Sequence, residues 1–476
     1  LRAYPARWLD YLGEYKMGQS RTMFCGHILC AVMLSSIIVI SPLRLGAETL
    51  RDSVSAGLDN SDVLAAKQQS FVATRQAIGE AKSGKEITGT ITLSDSELLR
   101  DSSSVSGGFK KRYSRSGSLV FSKTLADFGE TDLKVDAARH SVDAARADYS
   151  SVEQSVILSL ITAHLDVIAA REEASIRKSN IARLSAQRDA AQIRLANGSA
   201  TPSDLAETDA RLARAYSDEI LTASALIDAE ETYLSLTGLS AGELTTPIVP
   251  GDMPLTILAA EQSAEQFHPD ILSVIAAEKV ARLQFPILEA SVKPTLGLSL
   301  SASALDQTAT SADKEELSAT LTFSTPFLVT NSTRSLARKT LSSHNQSKFD
   351  VAEQKRKTRL AVRNAFRAFH ASQGQLDAVM SEITAAQLLA ENAAIEVEFG
   401  VKTMLDQLDA EQSLFDAKLR MAQTKQAVLL NAFKLVQAMG RLSPDLFDLI
   451  EKNIDLDLIP EPSSRYPYML PISVGE

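Results

Sequence analysis

Two stretches of this 476-residue chain, 202 positions apart, carry the same turn device, and everything else is arranged around them. The first is Arg194-Leu-Ala-Asn-Gly198-Ser-Ala-Thr201-Pro202-Ser203-Asp204 and the second Glu396-Val-Glu-Phe-Gly400-Val-Lys402-Thr403-Met-Leu-Asp406. Gly198 and Gly400 permit a left-handed residue where an incoming helix ends. Thr201 and Thr403 can cap the outgoing helix, and Pro202 suits its first turn. The same offset pairs Leu212 with Leu414, Gly238 with Gly440, and Leu119-Val-Phe121-Ser122 with Leu321-Thr-Phe323-Ser324. A block of roughly 120 residues is therefore duplicated without net insertion, a strong repeat signal. The chain reads as two helical hairpins, each preceded by strands.

Between Glu130 and Ala196 there is neither proline nor glycine, and Tyr149, Val152, Val156, Leu160, Ala163, Val167, Ala170 and Ala174 recur at spacings of three and four. That is a coiled-coil-like seam on a helix of ~100 Å, too long for a compact domain. Ser203–Thr237 returns from the glycine turn. Thr333–Phe399 and Thr403–Met439 repeat the pair, with Gly374 the one weak point. Glu48–Ala81 is helical with an interruption at Asn60-Ser61-Asp62, and Pro269–Ala290 is helical with a kink expected at Pro286.

The period changes to two in four places. Ile87, Gly89, Ile91 and Leu93 alternate with Thr and Ser; Ser118–Leu125 follows a Ser/Gly-rich stretch, 102–118, read as an exposed loop. Leu296–Ala302 and Leu317–Phe323 alternate in the same manner, separated by a polar loop, Asp306–Lys314. These apolar stretches run seven to nine residues, slightly short for outer-membrane strands. Four strands cannot close a barrel, and open edges are not tolerated in lipid, so several chains must share one barrel. Three chains would supply twelve strands.

Residues 17–47 have the form of an export signal: Arg21, a short apolar core from Ile28 to Ile40, and Leu45-Gly-Ala47 as cleavage site. The core is too short for a comfortable membrane span. The true start is expected at Met17 or Met23. Both cysteines, Cys25 and Cys30, lie in this segment, so the mature chain needs no disulfide framework. Cleavage removes five Lys/Arg from 49 and two Asp/Glu from 59, leaving 44 against 57, a balance of −13 that argues against nucleic-acid binding. The chain then divides into extension and signal (1–47), first repeat (48–244), linker (245–268), second repeat (269–442) and a proline-rich tail (443–476).

No catalytic, cofactor or metal site emerges. Gly79–Lys85 approximates a phosphate loop but has Glu86 where Ser or Thr is required, and it follows a helix and precedes a strand, the reverse of the necessary order. The six histidines share no ligand spacing, and no Ser-His-Asp set can be nominated.

The two tips, together with Phe121-Ser-Lys-Thr-Leu-Ala-Asp-Phe-Gly129, Phe323-Ser-Thr-Pro-Phe327 and Lys293-Pro-Thr-Leu-Gly-Leu298, resemble the TolC family of outer-membrane efflux and secretion channels over essentially the whole mature chain. The resemblance implies a mainly α protein with a membrane β-barrel. It would be a homotrimer whose twelve-stranded barrel, four strands per chain, sits in outer-membrane lipid and continues through the periplasm of a Gram-negative bacterium as a long α-helical coiled-coil barrel. It implies a helical end closed at rest, opened by a periplasmic adaptor and an inner-membrane ABC or proton-driven transporter. By position, Asp406 and Asp409 match acids lining the periplasmic entrance. Lys402 falls where a basic residue ties the closed tips, with Ser203 and Asp204 at the places of its partners. Lysine for the more usual arginine weakens a bidentate link, and Val397 replaces a tyrosine often found there. The first repeat has Thr124-Leu-Ala126 where the second keeps Pro326-Phe327. On residue chemistry alone, an Asp in a first helical turn also serves the macrodipole. The competing reading is a periplasmic coiled-coil adaptor or structural rod without a barrel; two hairpins and four amphipathic strands weigh against it.

Overall fold

The computed structural model describes residues 48–98, 112–251, 253–307 and 314–449. The export signal with Cys25 and Cys30, most of both strand-connecting loops and the tail beyond residue 449 lie outside them.

Eight helices and four strands follow one another in the described chain: α1 (Leu50–Asp59), α2 (Asp62–Lys82), β1 (Ile87–Leu98), β2 (Arg112–Ala126), α3 (Glu130–Ala196), α4 (Pro202–Thr237), α5 (Ile257–Phe267), α6 (Pro269–Ser291), β3 (Thr295–Gln307), β4 (Lys314–Ser324), α7 (Asn331–Glu398) and α8 (Met404–Ala438). The long helices run 67 and 68 residues because nothing in either sequence interrupts the hydrogen-bond ladder; Gly374 does not break α7. Both stop by the same geometry. Gly198 N–H donates to Leu195 O and Ser199 N–H to Arg194 O; 202 residues later Gly400 donates to Val397 O and Val401 to Glu396 O. Gly198 has φ 74° and Gly400 φ 72°, and a Cβ at either place would meet open space. Backbone handedness, not crowding, calls for glycine there. Gly440 differs: a Cβ there would run into the His268 backbone at the start of α6.

Two expectations are corrected. Residues 112–117, read as loop, belong to β2, and the strands run 11 to 15 residues, beyond their apolar stretches of seven to nine. Ser and Gly hid them, since hydroxyls alternating on a polar face give no apolar period. The segment read as linker contains α5, capped by Thr256, whose Oγ1 accepts from Ala259 N–H. The helix expected over 269–290 is present as α6, with Pro286 inside it.

The sheet is antiparallel with order β1-β2-β3-β4, so the hairpin of each repeat is joined to the other through β2 and β3. A bulge interrupts β2 between Thr124 and Ala126. The principal core lies where α1 and α5 meet the long helices: Leu50 and Val54, Ile157, Leu160, Ile161 and Leu165, Val362 and Phe369, and Phe433, Leu435 and Val436 come together. Toward the tips the apolar contacts thin to small clusters such as Leu184, Ala215 and Leu408. Packing there is marginal, so polar links carry a larger share of what joins the hairpins.

Candidate functional site

The register sorts the sheet into two faces. Ile91, Leu119, Ala302 and Leu317 stand in one row, Gly89, Phe121, Leu300 and Ala319 in the next, and Leu298 and Leu321 beside them. The opposite face carries Thr92, Ser118, Ser303 and their neighbours, with Ser94 Oγ 2.6 Å from Ser116 Oγ and Ser301 Oγ 2.7 Å from Ser318 Oγ. One face can meet hydrocarbon and the other water. Among the described residues, the outer edges of β1 and β4 have no neighbouring strand.

The turn from β2 into α3 is fixed by Asp127, which accepts from Thr131 N–H at 2.8 Å and Gly129 N–H at 3.2 Å and faces Lys85 at 3.6 Å. Burial opposes its charge, but these donors and the lysine outweigh it and hold the carboxyl below the ordinary range. The Asp-Phe-Gly ending is thus an anchor between sheet and helix.

At the tips, both outgoing helices start with a capping box. Thr201 N–H and Oγ1–H donate to Asp204 Oδ2 at 2.8 Å each, and Asp204 N–H returns to Thr201 Oγ1. Thr403 and Asp406 repeat this at 2.9 and 2.6 Å. Pro202 occupies the first helical position, and Ser203 follows it. The Thr201 N–H and hydroxyl hold the Asp204 carboxyl below its ordinary value; the Thr403 hydroxyl and N–H do so for Asp406. Both aspartates therefore remain ionised while serving the helix start.

Sequence position suggested that Lys402 meets Ser203 and Asp204. Within one chain its ammonium is instead 2.6 Å from Glu396 Oε2, across its own turn, an acceptor that raises its pKa. Asp409 is exposed but engaged by Arg211 Nη2 of α4 at 2.7 Å, and Arg211 also holds Glu207 at 2.9 Å. The acid expected to line the entrance is therefore half of a link between hairpins.

A second link was not anticipated. Glu411 on α8 is nearly buried, forms an ion pair with Arg183 of α3, and accepts from Gln187 of α3 and from Gln407 Nε2, the last at 2.9 Å. Burial works against the charge on Arg183. Arg183 and Glu411 are 228 residues apart in a repeat pattern that is otherwise local, so no spacing rule could have joined them. Farther up, Lys425 Nζ reaches Glu172 at 3.2 Å and Gln426 meets Asp166.

Ser53, His164 and Tyr233 form a buried cluster. Ser53 Oγ stands 2.8 Å from His164 Nδ1 and 2.7 Å from the Tyr233 hydroxyl, while His164 Nε2 is 3.0 Å from Thr245 O. The carbonyl selects the tautomer protonated at Nε2, leaving Nδ1 to accept from Ser53. This serine–histidine pair is not a nucleophile: both residues are fully buried, and the far ring nitrogen is set by a backbone carbonyl rather than a carboxylate.

The comparisons with known proteins agree with this geometry. The family described as outer membrane efflux protein matches residues 54–239 and 261–441, which together cover most of both repeats. The outer membrane efflux protein BepC of Brucella suis is 26% identical over 429 residues, covering 89% of this chain and 92% of that protein. The outer membrane protein TolC of Vibrio cholerae is 21% identical, covering 68% of this chain and 76% of its own. The crystal structure of CusC superposes with a TM-score of 0.72 at 18% identity, over 82% of this chain and 92% of that one. An antiparallel sheet with one apolar face, set on two long helical hairpins and matched along both repeats, makes this chain a member of the outer membrane efflux protein family of TolC-like channels, an exit duct in the outer membrane of a Gram-negative bacterium.

Proposed function

We propose that three copies of this chain close one twelve-stranded barrel and form the outer-membrane exit duct of a tripartite export system. A periplasmic adaptor and an inner-membrane transporter, either ABC-type or proton-driven, deliver proteins or small toxic compounds to its helical end. The observation that carries this reading is the four-stranded sheet with one apolar face, one hydroxyl face and two unpaired edges. Such a sheet is stable in lipid only if its edges find partners. The repeats support an origin of those partners in further copies. The helix α3 lies between α2 and α6, whereas α7 has α6 and α5 as its flanking helices. Ala147 on α3 is buried, and its equivalent on α7, Phe349, is 74% exposed. A neighbouring copy would cover that flank. Asp406 and Asp409 would then line the periplasmic mouth, and the tips around Lys402, Ser203 and Asp204 would form its gate.

Light scattering of the detergent-solubilised full chain should give three chains per particle, and planar bilayers containing it should conduct. A stable monomer overturns the reading.

A further inference from the structure

The duplication supplies an internal control for the sheet. Along the apolar face of β2 the chain reads Lys123, Phe121, Leu119, Gly117, Arg115, a cation at each end of an uncharged run. At the places 202 residues on, the second repeat has Thr325 for Lys123 and Leu317 for Arg115. Neither cation is needed to build the strand. Among the described residues they are the two basic side chains on that face.

The chain gives Arg115 acidic neighbours that leave most of its side chain exposed, and gives Lys123 no counter-charge among the described residues. Lys123 is paired in register with Ile87 and Leu298, and no carboxylate among the described residues holds its ammonium. Arg115 stands between Asp95 and Asp306, with Nε 3.6 Å from Asp95 Oδ2, and its side chain is 70% exposed. Eight residues of strand separate the two cations, ~26 Å along the chain. A barrel tilt of ~40° reduces this to ~20 Å of membrane height. Long basic side chains extend away from the midplane by ~5 Å each, which sets the two charges just beyond an apolar band of ~25 Å.

We propose that Lys123 and Arg115 each bind the phosphate of an anionic lipid headgroup, clamping β2 at both margins of the bilayer. Lys123 takes the leaflet on the helical side, and Arg115 the leaflet on the side of the hairpin loops. The clamp rests on the reading that the apolar face meets lipid, and it is specific to the first repeat. A closed trimer would carry three such sites per leaflet.

The test uses the full chain in maltoside detergent as parent, Lys123→Gln, Arg115→Gln and the double variant. Each is titrated with phosphatidylglycerol and, separately, with inorganic phosphate, and retained lipid is counted by native mass spectrometry. Apparent affinity for phosphatidylglycerol should fall about fivefold per cation removed, the equivalent of ~1 kcal/mol for one basic residue at an anionic surface. Inorganic phosphate should not bind. Leu317→Arg with Thr325→Lys, which copies the pattern into the second repeat, should increase the lipid retained. Equal retention by parent and double variant overturns the clamp, as does equal occupancy by inorganic phosphate. A reporter separates this from failure of the lipid-facing reading. Trp8, the one tryptophan of the sequence, precedes the expected cleavage after Ala47, so Phe121→Trp gives the mature chain a single tryptophan that reports on the face alone. Brominated phosphatidylglycerol in vesicles should quench it equally in parent and double variant. Absence of quenching in both overturns the lipid-facing reading, and the clamp with it.

Discussion

Glu411→Ala tests whether polar links between hairpins hold the tips in place. The substitution removes a nearly buried carboxylate from Arg183, Gln187 and Gln407 at once. Breaking a fully buried ion pair costs ~3–5 kcal/mol, because the remaining charge is left uncompensated. Here the Arg183 side chain is 32% exposed and water takes over part of the role, so the loss falls to about 1–2 kcal/mol per chain. The pair joins α3 of the first hairpin to α8 of the second, so any sliding of one hairpin past the other breaks it. In a trimer whose tips move together, three losses add up to ~3–6 kcal/mol and raise the open-to-closed ratio by about a hundredfold or more. Single-channel recording in planar bilayers should show a larger resting conductance or open fraction, with far-ultraviolet circular dichroism unchanged. Arg183→Ala should have a similar effect, and the double alanine variant should add little, the signature of one shared interaction. Replacing the pair by Arg183→Met with Glu411→Leu should restore closure, since well-packed apolar side chains often substitute for a buried pair. Resting conductance equal to the parent in both single variants would falsify the brace, and so would fully additive effects in the double variant.

Three further outcomes are expected. Trivalent cations added on the periplasmic side should block conductance. Asp406→Asn should relieve the block more than Asp409→Asn, because Arg211 already sits 2.7 Å from Asp409, and Arg211→Gln should deepen it; equal block in the Asp406/Asp409 double variant rules out acidic rings. Lys402→Ala should raise resting conductance, more at low salt than at high salt. If the tip is held through its own turn, Glu396→Gln copies that effect; if through a neighbouring tip, Asp204→Ala does; no change in any of the three sinks a role for Lys402. His164 is held below its ordinary value near 6.5 by burial, against the Thr245 carbonyl and Glu48, which favour protonation. A histidine that protonates less readily when folded leaves stability intact above that value and removes it as the pH falls below it. Thermal unfolding should show this loss setting in as the pH falls below about 6.5, and His164→Gln should flatten it; an unchanged slope in the variant refutes the assignment.

What the sequence determined by itself is whatever nearest neighbours in the chain decide. Gly198 and Gly400 end their helices and Thr201 and Thr403 start the next ones, because handedness and capping involve residues within four positions. The full length of α3 was legible for the same reason, as an uninterrupted run of helix formers. Residues 112–117 were not, because a strand of alternating Ser and basic residues shows its period only once β1 and β3 supply its partners. Tertiary structure alone decided which charges meet. Asp406 is the exception, a first-turn aspartate whose carboxylate is taken by Thr403 three residues back, within that local range. Asp409 needed α4 alongside to acquire Arg211, and Lys402 turned to Glu396, six residues back, once the glycine turn brought the two together. Glu411 and Arg183 carry no local signal at all. Charge pairing between hairpins depends on helix register over some tens of ångströms, and register is settled by the summed packing of two long helices, which no short stretch of sequence contains.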